Sequence, residues 1–314
     1  MDPNAPQFVT VFGGSGFVGR HIVRALAKTG IRIRVAVRRP NEALFLKTAG
    51  RAGQIEIVQA NIRDEKSCKT AIQGADVVIN AVGILSESGS QRFMSLQAEG
   101  AGRLAKLAHK LKAKKFIHLS AIGADADSAS IYAQSKAHGE RLVQKAFKSA
   151  VILRPSIVVG PEDDFFNRFA SLAGFAPALP LIGGGVAKFQ PLSVYDLAAC
   201  VVEATIAQPA AGIYELGGPT IYSFKDLMEL LLKEIDRPRL LVPMPFWAAR
   251  IIATFAQFAP KPLITPDQLI LLRSDNVVTH ENTIDSFSVV PSPIEGILPT
   301  YLGRYQPNQS RISV

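Results

Sequence analysis

Residues 8–20 read Phe-Val-Thr-Val-Phe-Gly-Gly-Ser-Gly-Phe-Val-Gly-Arg, a short β-branched run that breaks into glycines spaced Gly13-x-x-Gly16-x-x-Gly19 and then into a helical pattern. No other stretch restricts the fold as much. Glycine allows positive φ in the turn, close approach of a backbone to a pyrophosphate, and tight packing of helix on strand. The first helix then offers its N-terminal N–H groups to the phosphates. Gly13, Ser15, Gly16, Phe17, Val18 and Gly19 are therefore expected to line a dinucleotide. A phosphate loop of the Gly-Lys-Ser/Thr type is excluded, because Arg20-His21 follows Gly19.

The rest of the first half fits that start. Phe8–Phe12, Ile31–Val37, Ile55–Val58, Val77–Asn80, Phe116–Leu119 and Val151–Leu153 are brief apolar runs bounded by glycine or polar turns, which predicts buried strands. Arg20–Thr29, Lys66–Gln73 and Gln97–Lys112 show helical spacing between them. Such alternation predicts an α/β fold, a doubly wound parallel sheet of the Rossmann kind. From Pro155 onward proline and glycine become frequent, and a second, smaller mixed C-terminal domain is expected. The predicted division is 1–160 for the dinucleotide-binding domain, with 161–188 and 218–314 in the smaller one. Gln190–Asp196 and Gly212–Leu216 read as strands that return to the sheet. After Ser286 the prolines at 291, 293, 299 and 307 suggest an extended tail.

At the end of the second predicted strand an NAD site would place an acid for the ribose 2′-hydroxyl. This chain has Val37-Arg38-Arg39-Pro40. Guanidinium groups match a 2′-phosphate in charge and donor geometry, so NADP(H) is expected in preference to NAD(H), through Arg38 and Arg39. Asn61 and Ile62, after the third strand, are placed to touch adenine. Ala81, Val82 and Gly83, after the fourth, are placed to pass beside the cofactor.

Tyr132 and Lys136 form Tyr-x-x-x-Lys, and residues four apart share one helix face. A nearby ammonium favours the phenolate of a tyrosine, so the pair can serve as an acid or base in hydride transfer and touch the nucleotide as well. Ser120, closing the fifth strand, can bond a substrate carbonyl. Metal catalysis is not expected, since the five histidines lack ligand spacing and Cys68 and Cys200 cannot build a thiolate site. The two cysteines, among apolar neighbours, read as buried free thiols in a reducing compartment. No signal peptide and no membrane-spanning run of about 18 apolar residues is visible.

The net charge of +9 reads either as solvated helix faces, whose last-turn lysines suit the helix dipole, or as a surface for an anionic neighbour. Residues 100–150 hold ten cations against Asp125, Asp127 and Glu140. Nucleic acid is not expected, because no aromatic-and-basic readout motif accompanies them; an anionic membrane surface or protein neighbour is. Phe246–Phe258 is helical by composition, with Arg250 its only charge. At about 20 Å it is too short to span a bilayer, and it must be covered by its own domain, a partner or a membrane interface.

The glycine loop, Asn80–Gly83, Ser120, Tyr132-x-x-x-Lys136, Leu153-Arg154-Pro155-Ser156 and Gly160-Pro161 resemble, in this order, the extended or atypical short-chain dehydrogenase/reductases over residues 7 to about 235. Within them the chain is most similar to the nucleotide-binding accessory subunits of respiratory complex I (NADH:ubiquinone oxidoreductase). The segments that carry this are Val11–Arg20, Lys115–Ser120, Lys136–Glu140, Gly160–Asn167 and Gln190–Asp196. The resemblance implies a nucleotide held mainly for structure, Pro155 and Ser156 near it, and complex I subunits near the quinone site as partners. It also implies a peripheral place, on the cytoplasmic side of a bacterial inner membrane or the mitochondrial matrix side. Departures are Gln97 where extended reductases place Asn in the proton relay, and only eleven residues between Ser120 and Tyr132, which disfavours a nucleotide-sugar substrate. A complete Ser-Tyr-Lys set keeps open a free-standing NADP-dependent reductase or dehydratase on a small carbonyl or quinone-related substrate. A nucleotide-state sensor is the third alternative.

Overall fold

The computed structural model describes residues 6–207, 209–256, 264–279 and 282–307. The first apolar runs become β1 (Phe8–Phe12), β2 (Arg32–Val37), β3 (Ile55–Gln59) and β4 (Val77–Asn80), with α1 (Phe17–Ala27) after β1 and α2 (Glu65–Ile72) after β3. The chain continues through α3 (Gly100–Lys110), β5 (Lys115–Leu119), α4 (Ile131–Ala146), β6 (Val151–Pro155), β7 (Val158–Val159) and α5 (Phe165–Phe175). Then come β8 (Ala178–Ile182), β9 (Lys188–Phe189), β10 (Leu192–Ser193), α6 (Val194–Ile206), β11 (Gly212–Leu216), β12 (Tyr222–Ser223) and α7 (Phe224–Glu234). β13 (Leu240–Met244), α8 (Phe246–Ala256), α9 (Pro266–Leu271) and α10 (Pro299–Leu302) follow.

Seven strands form one sheet in the order β11-β6-β5-β4-β1-β2-β3, with every neighbouring pair parallel. The expected doubly wound Rossmann architecture is thus present. Parallel strands covered on both faces must be apolar throughout, and Val9, Val11, Ile33, Val35, Val77, Val78, Ile79, Phe116 and Ile117 are all fully buried. One face packs Phe12, Val78, Phe116 and Ile152 against Cys68 and Ile72 of α2, Leu104 and Ala108 of α3, and Val143 of α4. Burying each large apolar side chain stabilises the fold by roughly 1.5–3 kcal/mol. Both cysteines are buried free thiols, and burial pushes each up to about 12.

The chain divides into two compact units: Met1–Pro155 with Val194–Leu216 and His280–Val290, and Ser156–Ser193 with Gly217–Thr279 and Pro291–Val314. The second is mixed, as expected: β8 and β13 pair parallel, β9 and β12 antiparallel, and α5, α7 and the C-terminal turns close over Phe166, Phe189, Phe224, Leu227 and Leu231.

Three local expectations are corrected. Residues 190–196 do not rejoin the large sheet. Only Leu192–Ser193 is extended, pairing with β7, and Val194 already opens α6 with Asp196 in its first turn, where a carboxylate suits the helix dipole. Gly212–Leu216 does return, beside β6. The chain after Ser286 is not an extended tail as far as residue 307. It makes short helical turns at Ile294–Gly296, Pro299–Leu302 and Gly303–Tyr305, and buries Ile294, Leu298, Tyr301 and Leu302 in the second unit's core. Pro299 is accepted because it opens α10, where no N–H is needed. Residues 308–314 lie outside the described residues. The helix expected over Phe246–Phe258 is found as Phe246–Ala256, with Gln257 and Phe258 outside the described residues.

Candidate nucleotide and active site

The site is built at the C-terminal ends of β1, β2, β4 and β5. Gly13 has φ +77°, and a Cβ there would lie 2.8 Å from the Ala81 carbonyl oxygen. A Cβ on Gly19 would lie 2.2 Å from the Gly13 carbonyl oxygen, inside the turn closed by Gly16 N–H donating to that oxygen at 3.0 Å. Any side chain at either position would push the loop open. Gly16 precedes α1 in extended backbone with no side chain capping the helix, and no acid stands in the first turn of Phe17 and Val18. That end of the helix is left able to meet an anion. Ser15 is held through its carbonyl, which accepts from Arg20 Nη2 at 3.0 Å.

Arg20 is a residue to which sequence reasoning assigned no role in the site. Its guanidinium folds back over the glycine loop, bonding the Ser15 and Gly16 carbonyls and lying 4.9 Å from the centroid of the Phe45 ring. Its position directly after the third glycine was the available signal. Arg38 and Arg39 both stand exposed after β2. Arg39 pairs with Glu42 at 2.9 Å, whereas Arg38 has no ion pair among the described residues. Asn61 caps its own turn by accepting from Arg63 N–H at 3.1 Å. Ile62 turns its side chain into the core, 4 % exposed, against Gly100, and its carbonyl accepts from Arg103. Of Ile62, only the backbone is thus available to a base.

Asn80 ends β4 opposite His118 of β5. Its Oδ1 accepts from Val82 N–H and its amide donates to His118 Nδ1, both at 3.1 Å. An amide nitrogen only donates, so His118 carries its proton on Nε2 and is neutral. Burial, together with the charge of Lys136, pushes its pKa down to about 3. Ala81 extends the ladder by donating to Phe12 O at 3.0 Å, and Gly83 brings its backbone beside two side chains. A Cβ on Gly83 would sit 3.6 Å from Gln97 Oε1 and 3.7 Å from Lys136 Nζ.

Lys136 is 5 % exposed on α4, its Nζ donating to Leu119 O at 3.3 Å. Burial pulls its pKa from the ordinary 10.5 down to about 8, with Glu140 pulling the other way. Glu140 is itself buried and held by Arg154 through two bonds of 2.8 and 2.7 Å. Tyr132, one turn earlier, has its ring centroid 5.7 Å from Lys136 Nζ and packs edge-on against Phe93. Ser120 is 5 % exposed after β5, its N–H donating to Leu153 O at 2.7 Å. Gln97 donates to Ser135 Oγ at 3.3 Å, on a wide helical turn over Met94–Glu99 that α4 approaches closely at Gly139. Ser120 Oγ, Gln97 Oε1 and His118 Nε2 are buried with no hydrogen-bond partner among the described residues. Each such group costs about 1–3 kcal/mol if left bare, so these atoms fit a site completed by a polar ligand. Pro155 closes β6 and accepts from Ile122 N–H at 3.0 Å. Ser156 opens the second unit, where its hydroxyl bonds Asn276 at 2.8 Å.

A parallel sheet, a glycine turn feeding an uncapped helix, and Tyr132 and Lys136 on one helix face near Ser120 define a nucleotide-binding class. The chain belongs to the NAD dependent epimerase/dehydratase family, which matches residues 9–217. It is 33% identical over 312 residues to the Arabidopsis thaliana NADH dehydrogenase [ubiquinone] 1 alpha subcomplex subunit 9, mitochondrial, covering 95% of this chain and 77% of that one. The Dictyostelium discoideum protein of that name is 30% identical over 306 residues, with 96% and 85% covered. These homologues are complex I subunits. A Caulobacter vibrioides ceramide reductase is 33% identical over 216 residues, 69% of this chain and 66% of that protein. Among solved structures, Citrobacter triphenylmethane reductase has a TM-score of 0.76 at 16% identity, covering 94% of this chain and 99% of that one. A dTDP-glucose 4,6-dehydratase from Bacillus anthracis, in complex with NAD, has a TM-score of 0.72 at 15% identity, with 96% and 98% covered. These two share the fold.

No helix among the described residues is long and apolar enough to cross a membrane. Among the described residues no group of three or more His, Cys, Asp or Glu side chains is placed to hold a metal ion.

Proposed function

We propose that the chain is an NADP(H)-binding accessory or assembly subunit of respiratory complex I, in which the nucleotide is held mainly as a structural element. The observation that carries this reading is the likeness to complex I alpha subcomplex subunit 9, which runs through 95% of the chain and not just its nucleotide loop. The preference for a 2′-phosphorylated nucleotide is supported by the site. Arg38 is exposed and has no ion pair among the described residues, Arg20 is held over the glycine loop by the Ser15 and Gly16 carbonyls and the Phe45 ring, and no acid occupies the end of β2. Gly13, Gly16 and Gly19 form the cradle, Asn61 and the backbone of Ile62 meet the base, and Ala81–Gly83 line the path toward Ser120. Lys136 and Tyr132 hold the far end of the nucleotide, with Pro155 and Ser156 after it. The subunit would sit peripherally on the cytoplasmic face in a bacterium, the counterpart of the mitochondrial matrix face.

The test is comigration. Tagged chain expressed at native level should run with complex I on a native gel, and its deletion should deplete the assembled band. A protein found solely as a free species, with complex I unaffected by its loss, overturns the reading.

A second reading is favoured by one observation: Ser120 Oγ is buried, without a partner among the described residues, near a lysine whose pKa burial has pulled down to about 8. That set suits an NADP-dependent reductase, and one relative is named as a ceramide reductase. Bound NADPH would supply the hydride. Tyr132 gives its proton to the carbonyl oxygen, Lys136 favours the resulting phenolate, and Ser120 orients the carbonyl. Tyr132→Phe should then abolish turnover and spare nucleotide binding.

A further inference from the structure

Helix α8 is apolar on both sides, and among the described residues only one side is covered. Ala249 and Ala253 are buried, packing with Phe246 into a small core with Ile182 and Leu269. Small residues on that side let the helix lie close to the unit. The other side carries the bulk: Trp247 is 70% exposed, Ile251 53%, Ile252 51% and Phe255 74%. At 100° per residue these four fall within one arc of about 140°, so they form a single face. The strand that leads into the helix also exposes Leu240 and Val242, two residues apart and so on one side of β13. Single exposed apolar residues are ordinary, but a contiguous face of bulky ones marks an interaction surface.

Charge identifies the occupant. Between Asp236 and Asp267 the sequence has no acid and four cations, Arg237, Arg239, Arg250 and Lys261; Arg237 and Arg239 donate to the carbonyls of Tyr305 and Ala173, and Arg250 is the cation of α8 itself. Arg250 is exposed at the border of the apolar face, three residues after Trp247, and has no ion pair among the described residues. A second copy docking through the same face would bring together two patches that each carry Arg250 at the rim and no acid on this stretch to pair it, because a two-fold interface joins like surface to like. A phospholipid surface supplies what the face lacks: acyl chains for Ile251, Ile252 and Phe255, a headgroup boundary for the indole, and phosphates within reach of an arginine at the rim. The eleven residues of α8 span about 16 Å, so the helix lies along a bilayer surface and does not cross it.

We propose that α8 is a membrane-interface helix, inserting Trp247, Ile251, Ile252 and Phe255 into the surface of an anionic phospholipid bilayer with Arg250 at the phosphate level. This stands on the exposed face and the local charge, and does not depend on the complex I reading.

Trp247 is the only tryptophan in the chain, so its emission reports on this face alone. The full chain is titrated with phosphatidylcholine vesicles and with vesicles holding one quarter phosphatidylglycerol. The expected result is a blue shift and co-sedimentation with the anionic vesicles, at least tenfold weaker with the neutral ones, and quenching by lipids brominated in the acyl chain. Ile251→Ser with Phe255→Ser, both surface changes that should leave the melting temperature unaltered, is expected to weaken the partition at least tenfold. Arg250→Gln should reduce the preference for anionic vesicles. Absence of shift and of co-sedimentation overturns the proposal and points to a protein partner. A blue shift that grows with protein concentration without vesicles overturns it in favour of self-association. Vesicle binding untouched by the double serine variant places the lipid contact elsewhere and overturns it too. Vesicle binding without comigration with complex I would leave it standing while removing the proposed function.

Discussion

Lys136 offers a perturbation whose size can be worked from the structure. Its ammonium is 5 % exposed and its pKa falls from 10.5 to about 8, chiefly through burial. A lysine with a lowered native pKa holds its proton less firmly when folded than when unfolded. Below about pH 8 both states are charged and the full penalty applies; between about pH 8 and 10.5 the unfolded chain binds the extra proton, and stability rises with pH. That fall corresponds to about 3 kcal/mol. Lys136→Met keeps the length and apolar stem, removes the penalty, and leaves Leu119 O without its donor, which costs about 1–2 kcal/mol. The nucleotide-free variant should therefore be more stable than the wild type by about 1–2 kcal/mol at pH 7; because the unmet Leu119 carbonyl costs the same at every pH, the difference should pass through zero at about pH 9 and reverse sign by about pH 10. Urea unfolding of stripped protein at the two pH values measures this. With saturating NADPH the order should reverse, because Lys136 is assigned to hold the nucleotide. A variant less stable than wild type at pH 7, or a difference that does not change with pH, refutes the reasoning.

Other outcomes follow from the same geometry. Gly19→Ala, whose Cβ would lie 2.2 Å from the Gly13 carbonyl oxygen, should abolish nucleotide binding by calorimetry, whereas Gly303→Ala, whose Cβ would meet nothing within 4 Å, should leave it unchanged. Arg38→Ala should weaken NADPH at least tenfold and leave NADH unchanged, and Arg20→Ala should weaken both, since it also frees the Ser15 and Gly16 carbonyls. Tyr301→Phe removes the hydroxyl that donates to buried Asp163, and should cost about 1–3 kcal/mol of stability, read as a lower urea midpoint.

Much of this was legible in the chain. The strands β1 to β6 were readable because a parallel sheet covered on both faces requires short runs of valine, isoleucine and phenylalanine, and the glycine spacing fixed which strand comes first. Gly212–Leu216 was recognised for the same reason. Gln190–Asp196 misled because its apolar residues alternate as in a strand, although Asp196 was better suited to the first turn of a helix. The C-terminal prolines misled because their role depends on distant partners. Tyr301 reaches Asp163, and Arg237 Nε donates to the Tyr305 carbonyl at 2.8 Å, contacts that no local pattern encodes. Within the site, glycines, Ser120, Tyr132 and Lys136 follow from spacing. The Asn80–His118 pair follows from the register of β4 against β5, and the fold-back of Arg20 from its stack on Phe45, so neither could be read from order in sequence. The exposed side of α8 was hidden for a simpler reason: a helix apolar in every direction does not say which side is covered.

The central claim is that the chain carries a 2′-phosphorylated nucleotide within complex I. The direct measurement is to excise the native complex I band containing the tagged chain, release nucleotide by denaturation and quantify it against the chain by mass spectrometry. The account predicts NADP(H) at about one per chain, lost in the Gly19→Ala variant. Recovery of NAD(H) in its place, or of no nucleotide beyond that of complex I lacking the chain, would contradict it.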